Sequence, residues 1–406
     1  MTAIAPSIAL RRRGRDSAAR PRAALARPPA FVVVCATVAV LNVVGLVMIL
    51  SASSVAALSN YGSSWYFFNR QVAWALVGAT AFVVSARVDY RFWRRASPWL
   101  LLGAGALLVA VLLPGVGIRV DGSRRWLGAG PLRVQPSELA KVAIVVFGAH
   151  LCSRPAAKLV DWRAWRPLAV ATGVLGLLVV LEPDLDSTVV LGIIAFSILV
   201  VAGVRVRHLT WLGGSAVALA AVLAVAEPYR RARVLTFLDP WSDTSNTGYQ
   251  ISQSLIALGS GGLDGVGLGA GRAKWLFLPN AHTDFIFAII GEELGLLGCF
   301  LVLGLFAGFA LVGLHIARGA PDRFGMLLAT GVTAWVAGQA AINLGAVVGV
   351  LPVSGITLPF LSAGGSSLCF TMTAAGMLAN VARQSVPATR RSVPEPGAPP
   401  RGRRER

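Results

Sequence analysis

Between Ala281 and Gly295 the chain reads AHTDFIFAIIGEELG, which sets His282, Asp284, Glu292 and Glu293 in or beside an otherwise apolar run. A carboxylate at the edge of such a run can take a proton from a hydroxyl. Carboxylates deeper inside need partners, because intramembrane acids rarely stay unpaired. A second polar set lies in GIRVDGSRRWLGAGPLRVQPSELAK, which carries Arg119, Arg124, Arg125, Arg133 and Lys141. The planar fork of arginine binds phosphate oxygens in pairs, so this stretch suits a phosphate or pyrophosphate, with lipid headgroups as the plainer alternative. Glu138 precedes Lys141 by three residues, a spacing that places both on one helix face as an ion pair. Glu182, Asp184 and Asp186 crowd the turn EPDLDST. His282 and Asp284 could begin a metal site, but only three other histidines exist and no protein-held zinc is expected. The cysteines (Cys35, Cys152, Cys299, Cys369) are scattered, without CxxC spacing, and read as small packing residues.

The elements that position these groups are membrane helices. Of 406 residues 55% are hydrophobic and 14% charged, with a mean hydropathy of +0.69, the balance of a polytopic membrane protein. Stretches of about 20 apolar residues place ten spans in an all-α fold, near 31–51, 70–86, 97–115, 137–152, 167–182, 187–203, 208–226, 284–316, 325–347 and 366–383. The first reads as an uncleaved anchor. The net charge of +19 comes largely from arginines in both tails and in alternate loops. The positive-inside rule puts those loops and both termini in the cytoplasm, so nucleic acid is not implied. The basic tails, 1–30 and 384–406, are expected to be disordered and able to touch anionic lipid. The SRRW loop, the EPDLDST turn and a long 226–283 segment fall outside. The glycine-rich stretch GSGGLDGVGLGAGRAK in that segment lacks GxxxxGK[ST], so ATP is not indicated. It is expected to shape a loop against lipid or a substrate's sugar.

Residues 284–316 would form about 49 Å of helix, well beyond a hydrocarbon core of roughly 30 Å. Leu294 to Ile316 could span alone. HTDFIFAIIGEE is therefore expected to be an overlong helix start or a partly re-entrant piece. Asp284 lies near the outer boundary, with Thr283 as N-cap, and Glu292 and Glu293 lie deeper, as ion-pair partners within the bundle.

In one order along the chain stand SASS, YFFNRQ, GSRRW, QPSELAK, EPDLDST, RRARVLTFLDPWSDTSNTGYQ, QSLIALGSGGLDGVGLG, HTDFIFAIIGEELG and LPFLSAGGSS. This set resembles the SEDS family (shape, elongation, division and sporulation), membrane glycosyltransferases that polymerise peptidoglycan from lipid II, and it looks more like the division branch than the elongation branch. The resemblance implies ten helices, cytoplasmic termini, a place at the division septum and an essential aspartate in the HTDF motif, here Asp284. It brings Trp126, Glu138, Lys141 and Asp184 to the cavity. Gln253 and Ser254 of QSLIALG, with His282 and Thr283, are expected to meet the substrate, and Arg119, Arg124, Arg125 and Lys141 its pyrophosphate. The implied partners are a class B penicillin-binding protein and other division proteins, and a divalent cation, Mg²⁺ or Mn²⁺, would be held mainly by substrate. A lipid II flippase and an elongation-type polymerase are the alternatives. Three positions depart from the family pattern: Asn280 stands for a Glu, Asp186 for a Gly and Ala363 for a Tyr.

Overall fold

The computed structural model describes residues 29–120, 123–130, 132–154, 159, 161–226, 228–241, 244 and 248–385. The expected tails fall almost wholly outside the described residues. Among those residues ten helices match the ten expected spans: α1 (Pro29–Tyr61), α2 (Tyr66–Arg87), α3 (Tyr90–Leu112), α4 (Pro136–Cys152), α5 (Trp162–Leu181), α6 (Leu185–Ala202), α7 (Val206–Ala226), α10 (Ile286–Gly319), α11 (Arg323–Val347) and α12 (Gly365–Gln384). Two shorter helices, α8 (Pro228–Leu238) and α9 (Tyr249–Ser260), lie between α7 and α10.

Eight of the ten are long and apolar enough to cross a bilayer on their own account. The exceptions, α4 and α12, are buried along most of their length. Several of their polar groups find partners inside the protein: Lys141 with Glu138, Thr371 with the Ser367 carbonyl, Asn380 with the Ala86 carbonyl. A helix enclosed by others can carry such groups because lipid never meets them.

One end of the bundle is arginine-rich, and its acids are helix caps. Asp89, Asp161 and Asp322 each accept a backbone N–H at the start of α3, α5 and α11, satisfying donors that a helix start leaves open. Arg323 donates to the carbonyls of Cys152 and Ala202, tying the last turns of α4 and α6 to α11. At the opposite end the arginine loop folds as an antiparallel meander, β1 (Ile118–Val120), β2 (Ser123–Ala129) and β3 (Leu132–Val134), a small addition to the expected all-α fold.

The stretch AHTDFIFAIIGEELG differs in detail from expectation. Regular helix begins at Ile286, not Asp284, and Thr283 is no N-cap: its hydroxyl donates back to the Asn280 carbonyl. The helix then breaks at Gly295, with φ 65° and ψ −161°, backbone that only glycine adopts readily. Residues 296–319 alone make about 36 Å of helix, enough to cross. Residues 286–294 form a separate buried piece, so the length argument held. Glu292 and Glu293 anchor the segment before Asp284: Glu293 forms an ion pair as expected and also reaches α1, whereas Glu292 takes backbone amides instead. Glu292 accepts from the backbone of Arg272 and Ala273 at 2.7 and 3.2 Å. Glu293 pairs with Lys274 at 3.1 Å and accepts from Ser51 of α1. Both charges of that pair are buried, so Glu293→Ala is expected to strand Lys274 and cost about 3–5 kcal/mol. In thermal unfolding of the detergent-solubilised protein, Glu293→Leu combined with Lys274→Met should recover most of that loss.

Candidate active site

The motifs meet around the loop between α11 and α12. Gln71 of YFFNRQ donates to the Ser362 carbonyl and accepts from the Gly364 amide. The Ala363 amide donates to the His282 carbonyl at 3.0 Å, and Phe67 packs against the His282 ring with centroids 4.5 Å apart. Gln135 bridges two motifs, its amide nitrogen donating to Asp184 at 3.1 Å and its backbone N–H to Ser366. From α11, Asn343 donates to the carbonyls of Asp284 and Ile356, both at 2.8 Å. Gln339, four residues earlier and so on the same helix face, donates to the Thr357 carbonyl and accepts from Lys141 at 3.0 Å. Asp284 and Lys141 are thus held against one face of α11. Asp284 itself is half-buried.

Glu138 and Lys141 form the ion pair their spacing suggested, at 2.8 Å and almost without exposure. Lys141 also lies 5.4 Å from the Trp335 ring, which places its ammonium inside the bundle rather than on an open wall. Asp184 is the N-cap of α6, accepting from the Ser187 amide. Trp126 is half-buried in β2 opposite Ile118. Arg119 and Arg124 stand directly opposite each other in the meander, an arrangement of like charges that an anion would relieve. Arg125 donates to the backbone carbonyls of Glu182 and Pro183, pinning the meander to the EPDLDST turn. Thr283 and Gln253 are half-buried, whereas Ser254 is buried and donates to the Val347 carbonyl, a packing contact between α9 and α11.

His282 is held neutral, since burial pulls its imidazole down to about 4. It therefore brings no positive charge to the neighbouring Asp284. The glycine run does not stand free for a sugar: its backbone docks on the break in α10. Val266 and Gly267 donate to the carbonyls of Glu292 and Glu293, and Leu296 donates to that of Gly262. At Gly265, φ is 82° and a Cβ would overlap the Glu293 carbonyl oxygen, so only glycine fits. Three residues given no role from the sequence organise the site: Gln135, within QPSELAK, and Gln339 and Asn343, outside every motif. The signal for the last two was a polar amide inside a span.

The departures from pattern are accommodated locally. Asn280 sits at φ 55°, a left-handed conformation that asparagine tolerates and glutamate does not favour. Its carbonyl closes the turn by accepting from Thr283 and Phe285. Asp186 accepts from the Gly355 amide at 2.9 Å, adding a tie between α6 and the loop. Ala363 contributes through its backbone, which needs no side chain.

A family profile described as cell cycle protein, FtsW, RodA and SpoVE, matches residues 32–386. The chain belongs to this family. It is 43% identical over 404 residues to the probable peptidoglycan glycosyltransferase FtsW of Mycobacterium tuberculosis, covering 94% of this chain and 77% of that one. The stage V sporulation protein E of Bacillus subtilis is 41% identical over 360 residues, 88% of this chain and 98% of that protein. Among solved structures, a chain of a peptidoglycan synthase complex that coordinates polymerisation and crosslinking superposes with a TM-score of 0.71 at 29% identity, covering 88% and 98% of the two chains. The rod shape determining protein RodA of Thermus thermophilus does so with 0.65 at 27% identity, covering 89% and 98%.

One group in the site predicts a pH dependence. Both carboxyl oxygens of Glu182 are buried without a hydrogen-bond partner among the described residues, because Arg125 takes the backbone carbonyl instead. Burial first, and Asp184 second, push its pKa up from 4.5 to about 8, against a smaller lowering by Arg125. The folded protein therefore holds Glu182 protonated where the unfolded chain ionises it. Its contribution to stability is complete below pH 4.5 and is lost as pH rises through about 8. Thermal unfolding should show the midpoint falling across that window, with Glu182→Gln removing up to about 1.4 kcal/mol per pH unit of the slope.

Proposed function

We propose that the chain is a peptidoglycan glycosyltransferase that polymerises lipid II on the outer face of the cytoplasmic membrane, with Asp284 as general base. The observation that carries this reading is the convergence of HTDF, EPDLDST, QPSELAK and SAGGSS on one loop, with the Asp284 backbone fixed by Asn343. In the reaction Asp284 takes the proton of an acceptor sugar 4-hydroxyl as that oxygen attacks the donor's anomeric carbon from the side opposite the leaving group, inverting the linkage. Undecaprenyl pyrophosphate departs with negative charge. The opposed guanidinium groups of Arg119 and Arg124 are suited to receive it. Lys141, already satisfied by Glu138 and Gln339, acts by holding α4 to α11 near the base. Among the described residues no three His, Cys, Asp or Glu side chains converge as a ligand set. A divalent cation, Mg²⁺ or Mn²⁺, would be held mainly by substrate oxygens.

The likeness to a complex that coordinates polymerisation with crosslinking supports a crosslinking partner, here a class B penicillin-binding protein. A place among the division proteins at the septum rests on the likeness to a relative named FtsW. The orientation rests on the arginine-rich end facing the cytoplasm, with both tails there. A cysteine placed at exposed Arg205, on that end, should react with a membrane-impermeant maleimide only after permeabilisation, and labelling of intact cells would reverse the topology. Asp284→Asn is expected to lower lipid II polymerisation by about 10²–10⁴-fold in purified protein with an unchanged unfolding midpoint. Turnover near the wild-type rate would remove Asp284 from the base role.

A further inference from the structure

On the arginine-rich end, a cavity of about 860 Å³ opens between the start of α3, the end of α4 and the start of α11. That volume lies within the range of small-molecule sites, and none of its lining residues belongs to the Asp284 site. We propose that this cavity binds the phosphodiester headgroup of an anionic lipid.

Charge is the first argument. Arg91, Arg94 and Arg95 line the cavity together with the carboxylates of Asp89 and Asp322. Both carboxylates are already committed. Asp322 caps the Gly325 amide and accepts from Tyr90 and from Arg91 at 3.2 Å. Asp89 caps α3 and lies 3.6 Å from Arg91. Arg94 and Arg95 have no carboxylate within ion-pair distance among the described residues. Arg94 is oriented by donating from Nε to Nδ1 of His150 at 3.4 Å. An imidazole accepting there is neutral and adds no competing charge, while the terminal nitrogens of Arg94 remain for a ligand. Two such guanidinium groups match the oxygens of a phosphodiester.

The second argument is the face on which they stand. Phe92, Arg95, Trp99 and Leu102 follow one another at helical spacing along α3, and Phe92, Trp99 and Leu102 are 55%, 74% and 65% exposed. One strip of helix therefore presents a cation at the cavity rim and an apolar track leading away from it. A lipid satisfies both parts, with its phosphate on the arginines and an acyl chain along the track. Basic pockets between helices on the cytoplasmic side are suited to anionic headgroups. Arginines placed only to fix topology would need neither the shared cavity nor the apolar strip. Which leaflet supplies the lipid depends on the orientation proposed above; the binding itself does not.

Native mass spectrometry of the full chain in mixed micelles tests this, with phosphatidylglycerol against phosphatidylcholine as probes. The wild type should retain phosphatidylglycerol preferentially. Arg94→Gln with Arg95→Gln should cut that occupancy about tenfold while leaving the unfolding midpoint unchanged. Arg205→Gln with Arg207→Gln, which removes equal charge at the start of α7 on the same end, should leave it intact. Equal retention by the first double variant, or equal loss by the second, would overturn the proposal. Displacement of the lipid by millimolar glycerol phosphate would assign the arginines to a soluble phosphate and overturn the lipid assignment. Because micelles have no sides, these outcomes are independent of the maleimide test of topology.

Discussion

The architecture of the site depends on one backbone break. A continuous helix from Asp284 onward would carry the carboxylate well past the bilayer along the axis of α10, away from the other motifs. At Gly295 the chain takes a conformation open only to glycine, and the preceding piece is freed to lie among α9, α11 and the glycine-rich segment. Breaking a helix near lipid exposes amides and carbonyls that cannot be left unsatisfied. Here the glycine run supplies their partners by backbone hydrogen bonds, and Glu292 and Glu293 gather the amides and ammonium of the segment that follows. The acids that looked misplaced in a span are the fastening of the segment before Asp284.

From that fastening the rest follows in order. The segment turns at Asn280, the His282 carbonyl meets Ala363, and Asn343 takes the carbonyl of Asp284. These contacts are all to backbone, which fixes the course of the chain at Asp284. On the other side of the same α11 face the buried Glu138 and Lys141 pair is bound through Gln339. Breaking such a pair would leave a charge without compensation, so α4 and α11 stay together. For the base role proposed for Asp284 such placement matters, since a misplacement of about 1 Å can cost two orders of magnitude in rate.

Much of this was legible in the sequence. Hydropathy and loop arginines gave the helices, the three-residue spacing gave Glu138 with Lys141, and length arithmetic indicated that residues 284–316 could not be one simple span. Other features were hidden for physical reasons. The meander arises in a short loop where cross-strand pairing, not periodicity, decides. The glycine run was legible as flexible, but its docking on α10 depends on two backbones approaching closely, which composition does not encode. The partners of Glu292 and Glu293 lie about twenty residues back in an irregular segment, or for Glu293 also on α1 at Ser51, beyond the reach of any helical spacing rule. Asn280, the departure hardest to explain from sequence, became intelligible only once its positive φ was seen.

The most direct measurement is single-turnover lipid II polymerisation by Gly295→Ala, in which Asp284 is untouched. If the break is what delivers the carboxylate, the rate should fall by about 10²-fold while the membrane helices remain folded by circular dichroism. A folded Gly295→Ala protein with wild-type turnover would contradict the account.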